Sequence, residues 1–312
     1  MGMSVNASKS RYAREELDRL LSGVFFVADG PDAGGKGSAI SAVREWIKDK
    51  GIDTFDLIEF QHEHGRTWPD FNDFPARTLS EKDAKNWMTA LYAEYKCLKT
   101  GEPPYAGGGW DLRQGVLQNI SMFSAKETAE CFSAYRSPFF GLVIKPWLDL
   151  GGMILQERYV STSMLFQPIQ ARLRNPPEEL SLDYILELPG NKRALKTNPS
   201  FFLVMTCNAH EAVQRIAKRL EKQDNCDFEG PTYLPYIVDA YGSGKVQQFF
   251  KDRGSYVATI DTSGLQIEDT KRLVVAEWER FLQARRASKN SLDIPASRED
   301  LIEESVPPAC GD

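Results

Sequence analysis

The chain has 312 residues, with 38 Lys and Arg against 44 Asp and Glu, so its formal net charge is −6. Hydrophobic residues make up 42% and charged residues 26%, an ordinary globular balance that excludes wholesale disorder. The length supports a substantial core, and the acidic balance argues against a protein that grips nucleic acid through its overall field.

Residues 1–14 read as a flexible polar tail and 15–22 as a short amphipathic segment. No run approaches a bilayer span, and the polar N-terminus carries neither a secretory signal nor a myristoylation pattern, so a cytoplasmic protein without membrane contact is expected. Five cysteines with no C-x-x-C, and only three His, give no zinc spacing and read as reduced thiols.

Val24 to Ala28 is a short apolar run, too short for a helix and suited to a buried strand. A glycine-rich turn follows at 30–37, and then Ile40, Val43 and Ile47 recur at helical spacing. Further strands are predicted at Phe55 to Phe60, Gly152 to Gln156, Phe201 to Met205 and Tyr256 to Ile260. Helices are predicted over 121–150, interrupted near Pro138 and Pro146, over 209–222 and over 267–286. Strands alternating with helices imply a parallel sheet with helices on both faces. The proline-rich stretches around 69–120 and 168–199 break this rhythm and read as insertions in a single domain over 15–286; residues 287–312 read as a polar C-terminal tail.

The turn Gly30-Pro31-Asp32-Ala33-Gly34-Gly35-Lys36 satisfies G-x-x-x-x-G-K between a strand and a helix. Glycines there let successive backbone N–H groups converge on phosphate oxygens at the positive end of the helix, and the Lys reaches the outer phosphates. The hydroxyl that would hold Mg²⁺ is displaced by one position: Gly37 follows the Lys, and Ser38 comes next.

Several further blocks, in order, make the chain resemble the thymidylate kinase family of P-loop nucleoside monophosphate kinases. FFVADGPDAGGKGS (25–38) is similar to that family's first strand and phosphate loop, and FQHEHGRT (60–67) stands where F-x-R-E-P-G-G-T is expected. FSAYR (132–136) is similar to F-[SA]-A-[DN]-R, and ERYVSTSMLFQ (157–167) to D-R-Y-x-x-S-S-x-A-Y-Q. FFLVMTCNAHEAVQRIAKR (201–219) resembles the strand and basic lid arm, and IDTSGLQIEDTKRLV (260–274) the terminal I-D-A-S-x-x-I-E-x-V segment.

The resemblance implies a three-layer P-loop NTPase fold and ATP-dependent phosphorylation of a nucleoside monophosphate, dTMP first. It also implies magnesium as cofactor, small nucleotides as the only partners, and a homodimer. Gly30, Ala33, Gly34, Gly35, Lys36, Gly37 and Ser38 would hold the ATP phosphates, with Ser38 and Glu157 at Mg²⁺. Asp32 would sit near the acceptor sugar or the metal. Phe132 would stack on the acceptor base, Arg136 would bond its edge, and Ser163 and Phe166 would line its pocket. Arg158 would contact the acceptor phosphate, together with His62 or Arg66. Ala33 stands where some members carry a catalytic Arg, which shifts charge neutralisation to the lid cations Arg215 and Arg219. Guanidinium groups suit phosphate, and phosphoryl transfer needs positioning and positive charge above all.

Two other readings stand beside this one. GPDAGGKGSAI is also similar to the loop of polyphosphate-dependent nucleotide kinases, although their D-R-S-W-Y-N-R segment is absent. Gly37, His62 and Glu157 also fit a non-catalytic nucleotide-binding protein.

Overall fold

The structure, a computed structural model, describes residues 13–65, 81–106, 108–218 and 226–292. Its strands are β1 (Phe25–Asp29), β2 (Thr54–Asp56), β3 (Cys97–Gly101), β4 (Met153–Glu157), β5 (Phe201–Thr206) and β6 (Tyr256–Asp261). All pair in parallel, in the order β2-β3-β4-β1-β5-β6. The helices of the first half are α1 (Arg14–Leu21), α2 (Lys36–Lys48), α3 (Leu57–Glu63), α4 (Glu81–Glu94), α5 (Gly108–Asp111), α6 (Ala125–Phe139) and α7 (Lys145–Asp149). Those of the second half are α8 (Val160–Leu173), α9 (Leu182–Glu187), α10 (Pro189–Ala194), α11 (Ala209–Ala217), α12 (Leu234–Gly242), α13 (Lys245–Asp252) and α14 (Ile267–Leu292).

This is a three-layer α/β P-loop kinase fold, and strand alternation builds its layers. Phe25, Val27, Leu98, Ile154, Phe202 and Val204 enter one core, with α6 and α8 over them. Their neighbours Phe26, Ala28, Cys97, Leu155, Phe201 and Leu203 enter the other, beneath α2 and α14. Side chains alternate across a strand, so a strand covered on both faces is apolar throughout. β1 is buried along its whole length. In the second core Trp46 of α2 meets Trp278 of α14 edge to face, at 6.1 Å between ring centroids.

Two expectations change. The run 55–60 is not a strand: β2 ends at Asp56, whose side chain accepts the backbone N–H of Glu59 at 3.1 Å and caps α3. An Asp that can satisfy a free helix donor ends the strand there, although the residues that follow are apolar. The stretch 69–120 is not outside the core either. Among its described residues it supplies α4 and β3, and β3 lies inside the sheet between β2 and β4. Near Pro138 and Pro146 the helix changes type rather than breaking: Pro138 lies inside α6, a π-helical stretch spans Phe140–Ile144, and Pro146 sits in the first turn of α7.

Candidate active site

β1 is central and pairs with β4 on one side and β5 on the other. The phosphate loop leaves its carboxyl end, the crevice where open α/β sheets take ligands. Two glycines make the loop possible. Gly30 has φ 150°, and a Cβ there would stand 2.1 Å from the Met205 carbonyl oxygen. Gly35 has φ 100° and opens α2. Lys36 is almost fully buried, and its Nζ donates to the carbonyls of Pro31 at 2.8 Å and Gly30 at 3.2 Å. Nζ also lies 3.6 Å from Asp32 and 4.0 Å from Glu157. Burial pushes its pKa below the ordinary lysine value, and the charge of Arg158 acts in the same direction against the pull of Asp32 and Glu157.

Arg158 follows the last residue of β4 with φ 68°, a left-handed conformation that is uncommon for arginine and clusters at functional sites. Its backbone N–H donates to Ala28 O at 3.0 Å, which fixes it beside β1. Its Nη2 donates to Asp32, while Nη1 is buried without a partner. Burial disfavours its charge, and Asp32 first among several acids overrides this and holds its pKa above the ordinary value. Asp32 thus aims Arg158, and one donor is left unsatisfied.

A cavity of about 470 Å³ opens beside these groups. Asp32, Gly37, Glu157 and Arg158 line it, as do Phe132 of α6, Phe166 of α8 and Arg136. Phe166 meets Phe228 edge to face at 5.1 Å, and the Arg158 guanidinium stands 5.5 Å from the Phe166 ring centroid. Two aromatic walls next to an arginine suit a flat base joined to a phosphate.

Arg136 is held more tightly than its expected role requires. It is fully buried, and its Nε donates to Glu102 at 2.7 Å. Its Nη1 donates to Ser163 Oγ and Asn191 Oδ1, each at 2.7 Å, and its Nη2 to the Tyr159 carbonyl at 3.4 Å. Burial works to lower its pKa, and the Glu102 carboxylate overrides that and raises it. One of its five N–H groups has no partner among these and can face the cavity. Ser163 is fully buried against Arg136 and does not line the cavity.

Glu102 is the residue that sequence reasoning passed over. Its backbone N–H donates to Glu157 O at 2.9 Å, and a cis peptide joins it to Pro103. The Glu102-Pro103 dipeptide follows directly on the last residue of β3, Gly101. That dipeptide was the available signal. Of FQHEHGRT, Phe60–Glu63 lie on α3 and His64 and Gly65 just after it, and His62 packs on Tyr105 at 4.1 Å between ring centroids and does not line the cavity.

Arg215 of α11 reaches the phosphate loop from behind. Its Nη1 donates to Ala33 O at 3.2 Å and Thr262 Oγ1 at 2.8 Å, and its Nη2 to Thr262 O at 2.6 Å and Glu211 at 2.9 Å. Arg66 and Arg219 lie outside the described residues. Ser38 is half-buried in the first turn of α2, and Gly34 and Ala33 complete the loop beneath it.

Among the described residues, no group of three or more His, Cys, Asp or Glu could hold a metal, and no helix is long and apolar enough to cross a membrane. No family model matches the chain. Among curated proteins it is similar to the thymidylate kinase of Mycoplasma genitalium, 25% identical over 192 residues that cover 61% of this chain and 79% of that protein. It is 22% identical over 219 residues to that of Mesoplasma florum, covering 69% of this chain and 96% of the relative. It is also 22% identical over 231 residues to that of Caldicellulosiruptor saccharolyticus, covering 74% and 86% respectively. All three similarities are to thymidylate kinases.

Proposed function

We propose that this protein is an ATP-dependent nucleoside monophosphate kinase that prefers dTMP. The observation that carries the reading is the Lys36–Asp32–Arg158 cluster, set at the phosphate loop and opening onto a cavity walled by Phe132 and Phe166. The similarity to thymidylate kinases supports the acceptor class.

In this reading the loop N–H groups and Lys36 hold the outer phosphates of ATP. Arg158, aimed by Asp32, turns its unsatisfied Nη1 to the acceptor phosphate and lines it up with the γ-phosphate. Phe132 and Phe166 hold the base between them, and Arg136, locked by Glu102, offers its remaining donor to the base edge. Fixed positive charge and alignment are what phosphoryl transfer requires of a protein.

The donor set fits Mg²⁺. Glu157 keeps 38% of its side chain exposed at the cavity, and Ser38 offers a hydroxyl at the start of α2. One carboxylate and one hydroxyl, completed by substrate phosphates and water, is the ordinary way a protein binds this ion. When bound, it would shield charge on the phosphate oxygens.

A coupled assay across the nucleoside monophosphates, run with ATP and in parallel with polyphosphate, tests the reading. ADP formation is expected with dTMP, and Lys36→Ala should lower it by ~10²–10³-fold, as for loss of one transition-state donor. The loop sequence GPDAGGKGSAI favours the polyphosphate reading as second, and turnover with polyphosphate alone would establish it. ATP binding without turnover of any acceptor would leave a nucleotide-binding protein without catalysis.

A further inference from the structure

The cavity has a second cationic corner that the chemistry above does not use. Arg44 of α2 and Lys99 of β3 both line it. Arg44 Nη1 donates to Asp56 Oδ2 at 3.0 Å, and Lys99 Nζ donates to the same oxygen at 2.6 Å. Arg44 Nη2 also stands 3.9 Å from Glu59, whose side chain is 59% exposed. Asp56 and Glu59 do not line the cavity, whereas the two cations do. Arg44 ties α2 to β2, and Lys99 faces Asp56 as its register partner from β3. Two cations thus lean on one oxygen of a carboxylate that also caps α3. Their side chains remain 37% and 26% exposed.

Position separates this corner from the transfer centre. Arg44 lies eight residues along α2 from Lys36, about 12 Å at the rise of an α-helix. Lys99 lies two residues before Gly101, the register partner of Glu157, or about 7 Å back along the strand. Strand alternation puts Lys99 and Gly101 on one face. Gly101 has no side chain to close the path between them; a Cβ there would already meet Ile58 Cδ1 at 3.1 Å. The corner is therefore set apart from the phosphate that Arg158 addresses, but continuous with it through one cavity.

We propose that Arg44 and Lys99 form a second anion subsite, which takes a further phosphate ester of the acceptor, one sugar away from the phosphate that receives the γ-phosphoryl group. The substrate class is a nucleotide bearing a 3′-phosphoester as well as its 5′-phosphate. The inference rests on the kinase reading and extends it. Two fixed cations over a partly exposed face match such an ester by charge, and a guanidinium matches its oxygens by shape.

The test compares acceptor KM for a deoxynucleoside 5′-monophosphate, the 3′,5′-bisphosphate and a 5′-phosphorylated dinucleotide, with ATP saturating. The wild type is expected to show a KM roughly tenfold lower for the bisphosphate than for the monophosphate, the scale of one added hydrogen bond to a charged group. That preference should vanish in Lys99→Met and in Arg44→Gln and return in Lys99→Arg, with the KM for ATP unchanged and folding verified by urea midpoint. A low KM for the dinucleotide too would identify an internal phosphodiester as sufficient; a low KM for the bisphosphate alone would identify a terminal phosphate. Equal KM values for mono- and bisphosphate in active wild type overturn the subsite and leave the kinase reading intact. If no monophosphate is phosphorylated, the kinase reading fails, and calorimetric binding of the bisphosphate decides: binding lost in Lys99→Met supports the subsite, and unchanged binding overturns it.

Discussion

Lys36 combines burial with the charge that the proposed phosphoryl transfer would use, and this makes its titration a test of that proposal. Desolvation lowers its pKa in the free protein, so the charged form is lost at a lower pH than for an ordinary lysine. The kcat/KM profile for ATP should therefore fall on its alkaline side below pH 10.5. Bound phosphates favour the ammonium, so the limb seen in kcat should lie higher than the one seen in kcat/KM. Coincident limbs would exclude Lys36 as the titrating group. Arg136 shows the other consequence of burial. Glu102→Gln would leave a guanidinium buried without its carboxylate, and a loss of about 3–5 kcal/mol is expected in urea unfolding. The position of Lys36 at the start of α2, after a glycine turn, was legible in the sequence, because G-x-x-x-x-G-K fixes its backbone partners Gly30 and Pro31 locally. The lock on Arg136 was not, because Glu102, Ser163 and Asn191 come from three separate stretches of chain.

Elements meet at the phosphate loop, and backbone shape controls the meeting. β5 crosses so close to Gly30 that no side chain fits between them. Gly30→Ala should destabilise the protein by about 2–3 kcal/mol, through clash with Met205 and strain at positive φ, and should weaken ATP binding as well. An unchanged urea midpoint would count against this close approach. Arg215 joins α11, the glycine loop and the turn at Thr262, so α11 and that loop are mechanically one unit. β1, β4 and β5 were legible as apolar runs because burial on both faces leaves a period-free pattern, whereas β6, a partly exposed edge strand, was legible from its β-prone residues YVATI. β3 was not: CLKTG carries a lysine at its centre, and its carboxylate partner, Asp56 on the neighbouring strand, is 43 residues away in sequence.

At the scale of the whole molecule, the two cores and the site share one sheet, so nucleotide binding should report on global stability. ATP with magnesium at about 100 times its dissociation constant should raise unfolding free energy by about 2.7 kcal/mol. A thermal scan should show the corresponding rise in Tm for the wild type and a much smaller one for Lys36→Ala. Equal shifts in both proteins would move the phosphate site away from this loop. The net charge of −6 gives no general attraction for nucleotides. Four cations at the cavity are instead each paired with an acid, Arg158 with Asp32, Arg136 with Glu102, and Arg44 and Lys99 with Asp56, and in the proposed reading these would supply the attraction locally.

The sequence by itself determined what depends on neighbours along the chain: the phosphate loop between strand and helix, the parallel α/β class, and the ordered blocks that resemble a kinase. Tertiary structure decided what depends on distant partners. It placed β3 inside the sheet, put Phe60–Glu63 on a capped helix, and brought Glu102 rather than His62 to the cavity. Hydrogen-bond and charge partners separated by 23 to 55 residues, as around Arg136, are chosen by the fold and leave no periodicity to read.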